Sequence, residues 1–451
     1  MTDLSLHTPS SLLKSPSVDA PRGDAAPVAG LPASFVTDLA LRHLARKGEL
    51  KLYALAQQLG LAVPEVDPLL NQMRGLGLLE VPRRGTLDGD ISYALTEAGQ
   101  RMARLAFDKC QYAGPVPVTL ADYVAQVKDQ AQRRKPLRAE RLRHALRDLV
   151  ISPYLLPTLG SALNSGKAVY LHGDSGTGKT FLAEHLVRTL EGHVWVPHAV
   201  YVDGEVVQVF DPIVHKRVTL APVPQGTLAR DLSADGRWVR SEPPVVMAGG
   251  ELTLETLDLS YNAHTRLHTA PPQLKANNGI FVIDDFGRQR VSPSELMSRW
   301  IVPLDRQLDY LTLSNGTKFA VPFDVRVIFS SNQDPQALVD PAFARRLGYK
   351  IRLKALPVDR YRDVVLQACA RAGVPPDPAG IDHLVGTLHA RERRPFYPCV
   401  PYDVISKIAD LDRYLDQPAR LTPELLDWAW HTSFGQPGVP GDALVSTPSG
   451  A

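Results

Sequence analysis

The amino-acid sequence predicts an α/β fold with a mainly parallel central sheet, a C-terminal helical lid and a smaller α+β domain in front of them. Three observations carry this prediction. A glycine-rich turn lies between a strand and a helix at residues 173–180, an apolar strand at 279–285 ends in two carboxylates, and short helices alternate with turn residues over 31–115. Continuous apolar strands are typical of parallel sheets that are covered on both faces.

The glycine-rich turn is a complete phosphate-binding loop, or P-loop. The apolar run 168–172 precedes it and apolar residues at helical spacing follow it, which is the context that the motif requires. Its glycines let backbone amides point at phosphate oxygens, and the helix dipole adds positive potential. We expect Lys179 to reach the β- and γ-phosphates of ATP and Thr180 to bind Mg²⁺. The predicted nucleotide-binding residues are Gly173, Asp174, Ser175, Gly176, Thr177, Gly178, Lys179 and Thr180.

The apolar strand at 279–285 supplies the second half of the predicted site. It ends in Asp284 and Asp285, which emerge at the carboxyl edge of a parallel sheet beside the P-loop. Asp284 is expected to hold the Mg²⁺ and its water shell, and Asp285 to polarise the attacking water. The sequence therefore predicts a Mg²⁺-dependent ATP hydrolase.

Composition limits the class of protein. The chain has 451 residues, 44% hydrophobic and 22% charged, which is enough for two or three globular domains. A net charge of +2 indicates no particular acidic partner, and three well-separated cysteines favour a reducing cytoplasm over a disulfide framework. We expect neither a signal peptide nor a membrane span. His264 and His268 lack the glutamate of a zinc-protease helix, so metal ligation there is disfavoured.

Residues 31–115 have the pattern of three helices, two strands around a turn-rich stretch, and a fourth helix capped by Thr96. This pattern resembles winged helix-turn-helix regulators. Glu65 and Asp67 near the start of the third helix disfavour a DNA-reading role, whereas Arg83 and Arg84 in the wing suit phosphate contacts. DNA binding and protein docking both remain open for this domain.

The remaining segments follow from composition and periodicity. Residues 128–147 are basic, which fits either a nucleic-acid patch or, as we favour, a solvated helix joining two domains. Trp238 suits either a partner contact or buried packing. The predicted organisation is a disordered tail over 1–30, a winged helix over 31–115, a basic helical linker over 116–150, a nucleotide-binding core over 151–355 with a β-rich insertion over 196–250, a helical lid over 356–435 and a disordered tail over 436–451.

Further segments resemble the AAA+ ATPases, in particular their MoxR, magnesium-chelatase and enhancer-binding branch. They are the P-loop, the carboxylate strand with 274–279 before it, a hairpin around 314–317, a buried strand ending at Asn332 and the segment 340–346, and together they cover roughly 160–430. The resemblance implies that Asn332 acts as sensor 1 and orients the lytic water. It also implies that Arg345 or Arg346 is an arginine finger acting in a homo-oligomeric ring, with a hexamer favoured.

Two departures from the family pattern affect turnover. Asp285 replaces the usual glutamate, and Tyr402 stands where a sensor 2 arginine is expected, with Arg391, Arg393 and Arg394 as substitutes nearby. Three functions therefore stay open. The first is an ATPase that remodels a protein partner, with the winged helix as docking module. The second is a DNA-handling or transcription ATPase, and the third is a slow nucleotide-gated assembly switch.

Overall fold

A computed structural model of the chain describes residues 27–84, 91–218, 235–338, 341–416 and 420–435. The predicted tail over 436–451 and most of the tail over 1–30 lie outside these ranges. Residues 27–30 do not belong to a disordered tail, because Val28 and Leu31 exchange two backbone hydrogen bonds of 3.0 Å around a turn. Among the described residues, no helix combines the length and the apolarity that crossing a bilayer demands.

The N-terminal domain forms around an antiparallel sheet. Its elements are α1 (Ala33–Lys47), β1 (Glu49–Lys51), α2 (Leu52–Leu59), α3 (Val63–Gly75), β2 (Leu79–Arg84), β3 (Ile91–Leu95) and α4 (Glu97–Lys109), with the sheet order β1-β3-β2. Gly60 ends α2 in the left-handed conformation, with φ of 69°. Thr96 caps α4 as expected, because its side chain accepts a hydrogen bond from the amide of Gly99. The tip of the wing, 85–90, lies outside the described residues.

The segment predicted as a basic linker is a packed part of the structure. It holds β4 (Val118–Thr119), α5 (Leu120–Arg133) and α6 (Ala139–Ala145). Tyr123 and Val127 on α5 are buried against a second sheet, and Tyr123 accepts a hydrogen bond from the Nδ2 of Asn277 at 2.8 Å. The prediction of a solvated spacer was therefore wrong for α5, because its apolar face covers this sheet.

The second sheet corrects the boundaries of the predicted insertion. The next elements are α7 (Leu155–Ser165), β5 (Val169–His172), α8 (Lys179–Val187), β6 (Val194–Pro197), β7 (Ala199–Val202), β8 (Glu205–Gln208), β9 (Trp238–Ser241), β10 (Val245–Ala248), β11 (Ser260–Asn262) and β12 (Leu267–Thr269). The second sheet has the order β11-β12-β8-β7-β4, so it draws on strands outside 196–250. Strand β10 lies within 196–250 but belongs to the core sheet, where it pairs in parallel with a later strand.

The core sheet is parallel throughout its described strands. The chain continues through α9 (Pro272–Lys275), β13 (Ile280–Ile283), α10 (Pro293–Arg306), β14 (Leu308–Thr312), β15 (Lys318–Pro322), β16 (Arg326–Ser331), α11 (Pro335–Leu338), α12 (Pro341–Ala344) and β17 (Tyr349–Arg352). The core order is β10-β13-β16-β5-β17. Alternate side chains bury opposite faces: Phe281 and Phe329 on one side, Val282 and Ile328 on the other. Strands β14 and β15 form the predicted hairpin.

Residues 356–435 are helical, as their periodicity predicts. The helices are α13 (Val358–Ala372), α14 (Pro378–Asp382), a π-helical turn (His383–Leu388), α15 (His389–Glu392), α16 (Cys399–Leu415) and α17 (Pro423–Phe434). Tyr361 and Trp430 are fully buried in the separate core of this lid. Because the lid has its own core, it can move as a unit against the nucleotide-binding sheet.

The N-terminal domain rests on the second sheet. The amide of Val116 donates to the carbonyl of Leu59 at 2.8 Å, and the rings of Phe35 and Tyr201 lie 4.8 Å apart. Backbones approach closely at Gly60, where a Cβ would lie 2.7 Å from the carbonyl carbon of Gly236. The turn between α2 and α3 is therefore pressed against the segment before β9.

Candidate nucleotide-binding site

The P-loop connects β5 to α8. Gly176 and Gly178 both have φ of 85°, a conformation that favours glycine, and Gly178 is the residue before the helix. The ammonium group of Lys179 donates to the carbonyl oxygens of Gly173 and Asp174, each at 2.9 Å. The loop thus closes around its own lysine at the N-terminus of a nine-residue helix. In this arrangement a P-loop binds phosphate, because its N–H groups donate to the phosphate oxygens.

The two predicted halves of the site meet at Thr180 and Asp284. The Thr180 hydroxyl donates to Oδ1 of Asp284 at 3.0 Å. The amide of Asp284 donates to the carbonyl of Ala248, so strand β10 fixes where the carboxylate leaves the sheet. A hydroxyl beside one carboxylate fits the oxygen ligands that Mg²⁺ takes from a protein while it keeps waters and substrate phosphates. Residues 27–84, 91–218, 235–338, 341–416 and 420–435 contain no cluster of three or more His, Cys, Asp or Glu side chains suited to a metal.

The side chain of Asp285, next to the Thr180–Asp284 pair, is accessible to solvent. Its φ of 49° turns the chain away from the strand, and its side chain is 50% exposed with Arg288 at 3.9 Å. Gln289 stabilises the turn by donating to the carbonyls of Asp284 and Asp285 at 2.8 and 3.3 Å. Sequence reasoning missed Gln289, because no motif marks it.

The carboxylates and Lys179 influence each other electrostatically. Burial lowers the pKa of the Lys179 ammonium from its ordinary value, while Asp285, Asp284 and Asp174 act in the opposite direction. Desolvation disfavours a charged amine, and nearby carboxylates favour it. The predicted catalytic residues of the P-loop and the carboxylate strand therefore lie close enough for their charges to interact.

Asn332 follows β16, the strand between β5 and β13. The end of this strand is fixed to the carboxylate loop, because the Ser331 hydroxyl donates to the carbonyl of Phe286 and the Phe286 amide donates to the carbonyl of Ser330, both at 2.7 Å. Asn332 is half-buried at the same sheet edge as Asp284. This position suits the predicted role of orienting water.

The two candidate finger arginines have different surroundings. Both follow α12. The Nε of Arg346 contacts Oδ2 of Asp305 on α10 at 2.6 Å, whereas Arg345 is exposed. An ion pair within the chain holds Arg346 on its own subunit, so the exposed Arg345 is the better candidate for reaching a neighbour.

Comparisons with known proteins gave one matching family model and several similar solved structures. A family model described as a domain of unknown function, DUF8689, matches residues 357–432, the helical lid. A search of curated proteins gave no match. Among solved structures, NtrX from Brucella abortus aligns at 15% identity with a TM-score of 0.40, covering 66% of this chain and 58% of NtrX.

Two other solved structures cover similar shares of the chain. RuvB from Thermotoga maritima, a Holliday junction branch migration motor, has 12% identity and a TM-score of 0.37, with coverage of 65% and 73%. A complex of the magnesium chelatase subunits BchI and BchD has 16% identity and a TM-score of 0.34, with coverage of 62% and 91%. All three are AAA+ P-loop ATPases.

Because these TM-scores are below 0.5, the fold class is argued from the geometry of the chain itself. A P-loop joins β5 to α8, and the carboxylate strand β13 lies one strand away, across β16, in a parallel sheet. The core has a P-loop NTPase fold. The predicted fold class is thereby confirmed.

The lid contacts the phosphate-binding loop of this P-loop NTPase core directly. The Tyr397 hydroxyl donates to Oδ2 of Asp174 at 2.7 Å, and the amide of Cys399 donates to the carbonyl of Gly176 at 3.3 Å. A Cβ on Gly176 would lie 2.4 Å from Sγ of Cys399. Neither Tyr397 nor Cys399 belongs to a motif, so sequence reasoning missed both.

Two of the three residues proposed as substitutes for the sensor 2 arginine, Arg391 and Arg394, are engaged inside the lid. Arg391 pairs with Asp427 at 3.4 Å, and the Arg394 guanidinium lies 3.7 Å from the centre of the Phe434 ring. Tyr402 is half-buried on α16 with the Arg371 guanidinium 5.8 Å from its ring centre. In this lid arrangement Arg391 and Arg394 have partners away from the P-loop, and substitution by Arg393 stays a prediction.

The close contact between Gly176 and the lid makes a matched pair of variants informative. Gly176→Ala and Gly178→Ala impose the same unfavourable φ of 85°, but nothing lies within 4 Å of a Cβ at Gly178. Left-handed backbone costs an alanine about 1–2 kcal/mol, and overpacking costs about 1–3 kcal/mol more. We expect Gly176→Ala to lower the free energy of unfolding further than Gly178→Ala, measured by urea denaturation. Cys399→Ala should restore most of the difference, and equal losses in both glycine variants would contradict the contact.

Proposed function

We propose that this chain is a Mg²⁺-dependent ATP hydrolase that couples ATP turnover to remodelling of a protein partner. The observation that carries the proposal is the contact between Thr180 of the P-loop and Asp284 of the carboxylate strand, with Asp285 open beside them. A triphosphate cradle and a polarising carboxylate at one sheet edge are the parts that phosphoryl transfer to water requires.

Each residue of the site has a distinct role in the proposed reaction. Lys179 leaves the carbonyls of its own loop and binds the β- and γ-phosphates. Thr180 and Asp284 would hold Mg²⁺, which neutralises phosphate charge when bound. Asp285 accepts the proton of the attacking water, and Asn332 orients that water.

The proposed assembly is a homo-oligomeric ring, with a hexamer favoured. In such a ring Arg345 of one subunit stabilises the transition state in the site of the next. The lid then couples the chemistry to motion. Loss of the γ-phosphate changes the P-loop, and the contacts of Tyr397 and Cys399 with that loop transmit the change to the lid.

Replacing the proposed base tests hydrolysis separately from binding. Asp285→Asn keeps the size of the side chain but removes its basicity, and loss of a general base lowers rates by about 10²–10⁴-fold. We expect kcat for ATP to fall by that factor while the Kd for MgATP changes by less than about threefold. The measurement is phosphate release beside calorimetric titration.

The matched control is Asp334→Asn at the end of β16. Its carboxylate lies 3.8 Å from the imidazole of His172, outside the proposed catalytic set. Unchanged turnover in Asp285→Asn would remove the catalytic assignment. Wild-type ATP turnover no faster than hydrolysis in a reaction without protein would favour the nucleotide-gated switch.

Three features favour protein docking over DNA binding for the N-terminal domain. Residues 31–115 contain ten Lys or Arg and nine Asp or Glu, so the domain carries little net positive charge to attract a phosphate backbone. Recognition helices read bases with their N-terminal residues. The turn that precedes α3 lies against the segment before β9, where Gly60 meets Gly236, and Glu65 in the first turn of α3 interacts electrostatically with Arg237.

The third feature is an apolar surface on α4. Met102 and Leu105 are three residues apart on one helix face and are 39% and 53% exposed. Leu76, in the turn after α3, is 66% exposed. Contiguous exposed apolar surface marks protein interaction sites, and Met102 and Leu105 would supply its centre here.

Three arginines of the basic segment 128–147 have partners within the chain and give little support to binding of duplex DNA. Arg133 pairs with Asp129, Arg134 contacts Asp324, and Arg141 donates to the carbonyls of Thr189 and Leu190. These cations are used within the molecule, and several of them stabilise the packing of α5 and α6 on the core.

A charge placed on α4 tests the docking role. We expect Leu105→Glu to leave basal ATP turnover within about twofold of wild type but to abolish capture of the protein partner, identified with the ATP-trapping Asp285→Asn variant. Leu366→Glu on the lid is the matched control, because Leu366 is a 45% exposed leucine on a helix surface. Equal capture of the partner by wild type, Leu105→Glu and Leu366→Glu would contradict docking through α4. A salt-dependent shift of duplex DNA by the full chain would instead favour the DNA-handling function.

A further inference from the structure

A second cavity, of about 770 Å³, lies at the edge of the core sheet opposite the P-loop. Asn278 precedes β13 and Arg326 begins β16, and both line this cavity. The nucleotide site lies where the same strands end. Helix α5, the segment 134–137 and the segment 189–195 form the walls. The cavity is therefore a separate site, and its volume is typical of pockets that hold a small molecule.

The lining carries an excess of positive charge. Among the described residues that line it, five are Lys or Arg and three are Asp or Glu. The three carboxylates have partners, since Asp129 pairs with Arg133, Glu191 with Arg141, and Asp235 with Arg237.

Two cations of the lining remain to be balanced. Arg134 is neutralised by Asp324, whereas the ion pairs within the described residues include neither Lys135 nor Arg326. Burial lowers the pKa of Arg326 to about 10, and Arg134 adds to the effect while Asp324 opposes it. The Nε of Arg326 donates to the carbonyl of Leu163 at 3.0 Å, which fixes the guanidinium at the cavity wall. A half-buried cation without a carboxylate partner is stabilised by an anion that enters the cavity.

Two indole rings supply a different kind of surface. Trp195 on β6 and Trp238 on the neighbouring strand β9 are both half-buried and both line the cavity. A base stacked on an aromatic side chain gains about 1–3 kcal/mol, and arginine binds phosphate with a planar fork of donors. Aromatic walls beside unbalanced cations favour a ligand that is both planar and anionic.

We propose that this cavity binds a nucleoside phosphate, with the base against Trp195 or Trp238 and the phosphate near Lys135 and Arg326. The ligand is either a free nucleotide or the phosphorylated end of a single-stranded nucleic acid. The proposal does not depend on ATP hydrolysis at the P-loop, because the two sites occupy opposite edges of the sheet. It assigns a function to Trp238, for which the sequence left partner contact and buried packing open.

Equilibrium dialysis of the full chain tests the proposal. The probes are radiolabelled AMP, CMP, GMP and UMP, and a 5′-phosphorylated oligothymidylate. We expect one monophosphate or the oligonucleotide to bind at one per chain, equally in wild type saturated with MgADP and in Lys179→Ala. Binding of the monophosphate indicates a free nucleotide as the source, and binding of the oligonucleotide alone indicates nucleic acid.

Variants assign the binding to this cavity. Lys135→Ala, Trp195→Leu and Arg326→Gln should each weaken binding at least tenfold, whereas Lys128→Ala, an exposed lysine of α5 outside the lining, should not change it. Because Arg326 contacts Leu163, Arg326→Gln counts only if it keeps the unfolding temperature of wild type. If it does not, Lys135→Ala and Trp195→Leu decide the outcome. The proposal is overturned by absence of binding to every probe, by binding that disappears in Lys179→Ala but survives Lys135→Ala, or by equal competition from polyglutamate.

Discussion

Replacing Lys179 with alanine is expected to abolish MgATP binding, with a rise in Kd of at least about 100-fold. The lysine ammonium donates to two P-loop carbonyls and would exchange them for phosphate oxygens. Hydrogen bonds to charged groups contribute about 1.5–3 kcal/mol each, and ~2.7 kcal/mol corresponds to a hundredfold change in Kd. The measurement is isothermal titration of the full chain with MgATP.

The control must separate loss of the ligand contact from loss of the fold. Lys167→Ala changes an exposed lysine just before the opposite end of β5 and should leave the Kd unchanged. The unfolding temperature of Lys179→Ala, measured without nucleotide, reports whether the loop survives the loss of its two internal hydrogen bonds. A folded Lys179→Ala protein that binds MgATP as wild type does would contradict the assignment of the P-loop as the nucleotide site.

Arg345→Ala is expected to lower kcat by about 10³-fold while MgATP affinity stays within a factor of about three. A finger arginine acts on charge that develops in the transition state, and such residues contribute about 10³–10⁵ in rate. Arg346→Ala is expected to change kcat by less than about tenfold. Its ion pair with Asp305 is partly exposed, and pairs of that kind contribute about 0–1 kcal/mol.

Mixing experiments distinguish a shared site from a local one. Lys179→Ala subunits bind no ATP but keep Arg345, so adding them to Arg345→Ala subunits should restore part of the turnover. Asp305→Ala serves as the matched control for Arg346→Ala, because it removes the other half of the same ion pair. A large loss in Arg346→Ala with normal turnover in Asp305→Ala would assign the finger to Arg346. Failure to recover activity at every mixing ratio would count against catalysis in trans.

Local signals in the sequence were sufficient for much of the fold. The P-loop, the strand before it and the hairpin around 314–317 occur where their residues predict, because each depends on contacts between near neighbours in the chain. Helix α2 begins at Leu52 and ends at Leu59, and Gly60 supplies the positive φ that predicts this end.

Domain boundaries that depend on strand pairing were harder to predict from the sequence. Strand β10 lies inside the segment predicted as an insertion but pairs with β13, and β4 lies inside the predicted linker but pairs with β7. The local pattern of a short apolar strand is the same in either sheet. Only the partner strand, which is distant in sequence, decides to which sheet it belongs.

The site shows the same division. Lys179, Thr180, Asp284 and Asp285 were predicted from motifs, and the structure adds the hydrogen bond that joins Thr180 to Asp284. Gln289, Tyr397 and Cys399 were not predicted. Their contacts link segments that fold against each other, and their residue types carry no signal at those positions.

By itself, the sequence determined the chemistry available to this protein: a phosphate-binding loop, two carboxylates after a buried strand, and a self-contained helical lid. These follow from short-range geometry, in which glycine, lysine and aspartate have few alternative uses. The tertiary structure alone decided which of two adjacent arginines forms an ion pair within the chain, how the lid contacts the phosphate-binding loop, and that unbalanced cations and tryptophans surround a second cavity. These contacts join side chains from segments that are distant in sequence. The local sequence does not distinguish between the possible contacts, and packing and ion pairing in the folded chain decide between them.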